Sequence, residues 1–321
     1  MQTTRRSFLG VAGAASTAAA LSHAASTATA PSGPRFNVAA VTPCDAKGKF
    51  DDALYKDLLP FLKERGAEGV VVLGTTGEFP SFSAAERRKV AETALKHRAG
   101  LDIIVQVGTS NLPETLELLT HAAQNGADGV LCIPPFYFKN PSLEGLTRYY
   151  SQVLEASKIP VYLYHIPGTS AVPITHELLH ALEHYPSLAG IKDSTGNAEG
   201  YAAFVKEFPK LNMMSGTDNN LPTALKAGMG AILMGGNLFT RQSAAVFAAH
   251  RAGKDISEAM ARLREANQLL RVTGAGGVPA IKYALGGLGL RESYVRPPYV
   301  DLTAEQKAQL KPRVAQLAQL A

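Results

Sequence analysis

Lys192 is the residue of this chain best suited to covalent chemistry. It ends the apolar run Leu188-Ala189-Gly190-Ile191, so its stem begins within a buried strand. Burial penalises the ammonium form and favours the neutral amine. A neutral amine can attack a ketone and form an imine. Once protonated, the imine takes up electrons when a C–C bond breaks or forms beside it. The same position would also suit a lysine paired with an acid at the rim of a fold. Imine chemistry of this kind needs neither a metal nor a cofactor, and none is expected.

Two further groups could serve such a lysine. Thr75 and Thr76 stand between glycines in Gly74-Thr75-Thr76-Gly77-Glu78. Their hydroxyls and exposed backbone N–H groups could cradle a carboxylate, although a plain glycine-rich turn has the same appearance. Tyr164 ends another apolar run. A phenol both donates and accepts hydrogen bonds, so it could relay protons; a rim tyrosine packed on a helix would look alike.

These residues need elements to bring them together. The chain repeats one unit, a short apolar run followed by an amphipathic stretch. The runs are Phe36–Val41, Gly69–Leu73, Ile103–Val107, Gly129–Ile133, Pro160–Tyr164, Ala189–Ile191, Leu211–Met214 and Ala231–Met234. Helix-like stretches follow near 52–65, 83–97, 112–125, 142–156, 175–184, 197–208, 219–227 and 241–251. Ser83 with Glu86 forms a capping-box signature, and Ser142 follows Pro141 as a cap. Eight units in about 220 residues imply a closed parallel (β/α)8 TIM barrel. An open doubly wound sheet is the competing architecture. It usually has a Gly-rich first turn, whereas Val41-Thr42-Pro43-Cys44-Asp45 stands there. The tail reads as three more helices, near 255–272, 279–287 and 303–319, forming a C-terminal appendage on the same domain.

In such a barrel the strand ends converge on one face. That face would gather Lys192, Tyr164, Tyr137, Thr75 and Thr76, with Gly77 and Gly216 letting a ligand approach the backbone.

Composition excludes other classes. Of 321 residues, 46% are hydrophobic and 18% charged, an ordinary globular balance. The net charge of +5 is spread among acids without a basic run, so nucleic acid is not an expected partner. Cys44 and Cys132 form no CxxC pair, which argues against a zinc knuckle or a disulfide framework. Residues 1–30 read differently. Arg5-Arg6-Ser7-Phe8-Leu9 precedes a mildly apolar stretch from Gly10 to Leu21, then small residues around Ala24 and Ala28–Ala30. This resembles a twin-arginine export signal. The apolar run is shorter than the ~20 residues a membrane span needs. A periplasmic or secreted mature chain, residues 31–321, is therefore expected, with no membrane attachment.

Order and spacing of three segments together resemble the dihydrodipicolinate synthase / N-acetylneuraminate lyase family of class I aldolases, over about Val38 to Pro298. Gly74–Glu78 is similar to the family's pyruvate-carboxylate loop. Tyr164-His165-Ile166-Pro167 is similar to its tyrosine segment, where Asn more often stands at the position of His165. Gly190-Ile191-Lys192-Asp193-Ser194-Thr195-Gly196-Asn197 is similar to its Schiff-base segment. The resemblance implies that Lys192 forms the imine, Tyr164 shuttles protons, and Thr75 and Thr76 hold the carboxylate. Thr76 would also join the relay. The Gly230-Ala231-Ile232 backbone would line the pyruvyl pocket. Tyr137, or Phe138 by another count, would be lent across a dimer interface in a homodimer or homotetramer.

One position departs from the lysine-pathway synthases. They carry an arginine two residues after the proline of the tyrosine segment, and Thr169 stands there. A bidentate carboxylate clamp is not replaced by a hydroxyl. The expectation is therefore a lyase or aldolase acting on pyruvate or on a 2-oxo-3-deoxy (4-hydroxy-2-oxo) acid. A sugar-acid dehydratase and a 4-hydroxy-tetrahydrodipicolinate synthase are the alternatives within the same chemistry. Two readings belong to other classes. One is a non-catalytic 2-oxo acid binding protein. The other is a zinc peptidase, since His176-Glu177-Leu178-Leu179-His180 matches HExxH, with His184 one turn on. That motif falls on the fifth outer helix, away from the strand ends. Gly274-Ala275-Gly276-Gly277 follows no strand and reads as a turn between helices.

Overall fold

Parallel strands buried on both faces carry continuous apolar sequence, and the eight short runs form such a sheet. A computed structural model describes residues 33–270 and 277–320. The strands are β1 (Phe36–Ala39), β2 (Gly69–Val72), β3 (Asp102–Gln106), β4 (Gly129–Cys132), β5 (Val161–His165), β6 (Leu188–Asp193), β7 (Asn212–Ser215) and β8 (Gly230–Leu233). They pair in sequence order, all parallel, and β8 returns to β1 to close the barrel. Between them run α1 (Asp52–Glu64), α2 (Ala84–Lys96), α3 (Leu112–Gln124), α4 (Leu143–Ala156), α5 (Pro167–Ser170), α6 (His176–Leu182), α7 (Ala198–Glu207) and α8 (Leu221–Lys226). The chain ends with α9 (Thr240–Arg251), α10 (Ser257–Leu270), α11 (Gly277–Gly287) and α12 (Ala304–Leu320).

Local chemistry starts these helices where the sequence signals them. Asp51, Asn111, Ser142, Thr175 and Asn197 each accept a backbone N–H in the first turn of the helix that follows. Ser83 and Glu86 form the complete reciprocal capping box. Each apolar face then packs on the barrel. Leu58, Leu59 and Leu62 of α1, and Tyr150 and Val153 of α4, are sealed from water. A buried side chain of that size contributes about 1.5–3 kcal/mol.

The structure adjusts the expected boundaries. β1 stops at Ala39 because Val41 gives its N–H to the Asn237 side chain rather than to a neighbouring strand. β6 is longer than expected and carries Lys192 and Asp193 within the strand. Gly190 makes that possible: a Cβ there would lie 1.9 Å from the Asn212 carbonyl oxygen of β7. The short α5 was not expected. The C-terminal helices are more than an appendage, because α11 presents Ala280 and Ile281 to the cavity at the strand ends. The export signal of residues 1–30, and residues 274–276 of the glycine-rich turn, lie outside the described residues. Among the described residues no helix is long and apolar enough to cross a membrane.

Candidate active site

Register places the two central side chains side by side. Tyr164 of β5 pairs with Lys192 of β6 across the parallel ladder. Alternation along a strand sends both to the same face. They are almost wholly buried, Lys192 at 4% and Tyr164 at 3% exposure. The Lys192 Nζ sits 4.2 Å from the centre of the Tyr164 ring.

Lys192 forms no salt bridge with any described residue. The adjacent acid is engaged elsewhere, since Asp193 accepts from the Thr195 N–H at 2.7 Å and from its hydroxyl at 2.6 Å. The rim ion pair that the sequence left open is therefore not formed. Burial alone would push the Tyr164 phenol up. The Lys192 charge and hydrogen bonds from Thr75, Ser194 and Lys192 outweigh it, and the phenol ionises below its ordinary 10.0. The Thr75 hydroxyl is buried and makes no close hydrogen bond of standard geometry, yet it lies near enough to favour the phenolate.

A cavity of about 630 Å3 opens above this pair. Thr75, Thr76, Tyr164, Lys192, Gly216 and Ile232 all line it, so six of the residues expected from sequence meet in one place. A Cβ at Gly216 would fall 1.9 Å from the Ser194 hydroxyl, so a side chain there would force Ser194 to turn away. The other expected positions lie apart. Gly77 is buried beneath the loop, and its carbonyl accepts from the Thr42 hydroxyl at 2.9 Å. Thr169 is exposed on α5 and does not line the cavity. Tyr137 and Phe138 stand outside it, 74% and 71% exposed, on a loop whose N–H groups of Phe136 and Tyr137 both bind the Ser110 hydroxyl.

Sequence reasoning missed several lining residues. Ser194 stands two residues after Lys192, a spacing that returns to the same strand face and could have revealed it. Asp218, lining the mouth, lies three residues past the end of β7. Phe239 and Ile281 come from outside the strand ends, where no local signal marks them. Asn237 is buried without lining the cavity. It accepts from the Val41 N–H and donates to the Ala39 and Met234 carbonyls, tying the β8 loop to the end of β1.

The HExxH histidines meet a different fate. His176 Nδ1 and His180 Nε2 bind the two carboxylate oxygens of Glu207 on α7, at 2.7 and 2.6 Å. His176 also stacks on Phe204. Among the described residues no group of three His, Cys, Asp or Glu side chains could hold a metal.

Fold and site together define a (β/α)8 barrel of the enzyme type, with Tyr164 and Lys192 at the C-terminal ends of β5 and β6. The family model of the dihydrodipicolinate synthetase family matches residues 34–317. A DapA-like lyase of Chloroflexus aurantiacus is 36% identical over 259 residues, covering 79% of this chain and 86% of its own. The 4-hydroxy-tetrahydrodipicolinate synthase of Brucella suis is 35% identical over 278 residues, 83% of this chain and 92% of its own. Among solved structures, YagE of E. coli K12, a prophage protein of the dihydrodipicolinic acid synthase family in complex with pyruvate, superposes with a TM-score of 0.82. It is 30% identical and covers 90% of this chain and 99% of its own. The chain belongs to the dihydrodipicolinate synthetase family and is a lyase.

Proposed function

We propose that this lyase works through an imine on Lys192 and cleaves a 2-oxo-3-deoxy or related 4-hydroxy-2-oxo acid, releasing pyruvate. The observation that carries the reading is the convergence of Lys192, Tyr164, Thr75 and Thr76 on one cavity. The complex of YagE with pyruvate supports a 2-oxo acid as the ligand class.

The chemistry follows from these groups. The Lys192 amine adds to the C2 carbonyl, and loss of water leaves a protonated imine. As the C3–C4 bond breaks, its electron pair moves into the imine to give an enamine. The proton of the C4 hydroxyl goes to the Tyr164 phenolate, and C4 departs as an aldehyde. The Tyr164 phenol then protonates C3, and water hydrolyses the imine to release pyruvate. A phenol that ionises below its ordinary value is suited to both transfers. The Thr75 and Thr76 hydroxyls and N–H groups hold the carboxylate and fix the carbonyl against the amine. Loss of water from the sugar acid, and condensation with a semialdehyde, begin at the same imine and are the alternatives.

The mouth of the cavity favours an uncharged, hydroxylated aldehyde. Among the described lining residues Lys192 is the one cation. A charged bidentate carboxylate contact is worth ~1.5–3 kcal/mol, and no described lining residue besides Lys192 could supply it. The test compares kcat/KM for semialdehyde condensation with kcat/KM for pyruvate release from 2-oxo-3-deoxy sugar acids. The sugar acids should lead by one to two orders of magnitude. A clear preference for the semialdehyde would overturn this reading.

Two properties complete the proposal. The exposed Tyr137 and Phe138 rings suit an interface between copies, so the enzyme works as a homodimer or homotetramer. Sedimentation should show the oligomer, and Tyr137→Ala with Phe138→Ala should weaken it. Arg5 and Arg6 direct export by the twin-arginine route to the periplasm or beyond. Changing both to lysine should hold the protein inside the cell, and unchanged export would refute the route.

A further inference from the structure

Behind the carboxylate loop lies a buried ion pair that touches no part of the cavity. Glu78 and Lys282 face each other at 2.5 Å, with side chains 0% and 1% exposed. Both are further fixed. The second Glu78 oxygen accepts from the Arg296 N–H at 2.8 Å, and Lys282 Nζ donates to the Tyr294 carbonyl at 2.6 Å. Glu78 also takes a left-handed backbone conformation, φ 56°, which a residue with a side chain rarely adopts. Such strain persists where the surroundings dictate it.

The two partners belong to adjoining segments that both line the cavity. Glu78 follows Thr75 and Thr76 within one turn, and its N–H closes that turn on the Thr75 carbonyl at 3.1 Å. Lys282 follows Ala280 and Ile281, which line the cavity from α11. A hydrophobic pair of the same volume would stabilise the fold at least as well, because both charges lose their hydration here. What an ion pair adds is one fixed distance and direction between the loop and α11.

We propose that the Glu78–Lys282 pair is a positioning device: it holds the Thr75–Thr76 loop in the conformation that receives a carboxylate. This inference rests on the imine reading above. Its consequence is selective. Losing the pair should weaken binding of ketones that carry a carboxylate and leave uncharged ketones unaffected. A role confined to stability would move both alike.

The experiment measures the borohydride-trapped adduct at Lys192 against ligand concentration, with pyruvate and with uncharged pyruvamide. The full chain is compared with Glu78→Gln and with Glu78→Gln/Lys282→Met. The double variant leaves no buried charge unpaired, so it carries the test if the single one fails to fold. Half-saturation for pyruvate should rise about tenfold or more, the size of one lost contact to a charged group. For pyruvamide it should stay within about twofold. Equal shifts for both ligands, or no shift for either, would overturn the inference while the imine reading stands. Absence of any adduct in the unaltered chain would overturn both.

Discussion

The barrel mouth and the α6–α7 surface each carry a group of reactive side chains, and they differ in what those side chains face. At the mouth, Lys192 ends an apolar strand, forms no salt bridge with any described residue, and opens onto a cavity. On the surface, His176 and His180 match a catalytic pattern, yet both rings bind Glu207 and neither lines the cavity at the strand ends. The HExxH spacing by itself is that of a catalytic site. Placement on the fold separates the two regions, because a (β/α)8 barrel performs chemistry at its strand ends and uses its outer helices for stability.

The comparison breaks most readily at Lys192. Lys192→Ala should reduce kcat by at least about 10³-fold, since no other described residue lining the cavity carries an amine. Steady-state assays of pyruvate release measure this, and retention of activity would erase the distinction between the two regions. Tyr164→Phe comes next, with an expected loss of about 10²-fold or more, the scale of a missing general acid–base. The pH profile sharpens this prediction. Cleavage should rise with pH as the Tyr164 phenol ionises below 10.0, and the variant should lose that limb. Thr75→Ala and Thr76→Ala should raise KM for the 2-oxo acid about tenfold, with a smaller effect on kcat.

The surface should respond in stability alone. His180→Ala should leave kcat/KM within about twofold, as expected away from the chemistry. Hydrogen bonds that the ring donates to Glu183 and Glu207 raise His180 above its ordinary 6.5. Its contribution is therefore complete below 6.5 and fades as pH rises through the raised value. Glu207 is held below its ordinary 4.5 by hydrogen bonds from His176 and His180, so its contribution fades as pH falls through the lowered value. Both groups are exposed, so the effect is small. The difference in Tm between wild type and His180→Ala should be largest between pH 4.5 and 6.5 and vanish well above it.

The barrel was legible in the sequence because its strands are short, apolar and evenly spaced, and because caps such as Ser83 and Ser142 mark where helices start. Lys192, Tyr164, Thr75 and Thr76 were legible because they end those strands. What escaped depends on tertiary approach. Phe239 and Ile281 reach the cavity from segments that carry no strand-end signal. Asn237 matters through bonds to residues almost 200 positions away. Ser194 was within reach of the strand alternation. Thr169 was singled out by resemblance, but α5 turns it outward to solvent. Tyr137 and Phe138 do not line the cavity of their own chain, and the role proposed for them needs a second copy.

The central claim is the imine on Lys192. The most direct measurement is borohydride reduction in the presence of pyruvate, followed by mass spectrometry of the digested protein. The account predicts one reduced pyruvyl adduct, on the peptide that contains Lys192, and its absence in Lys192→Ala. An adduct confined to another lysine, or none at all at saturating pyruvate, would contradict it.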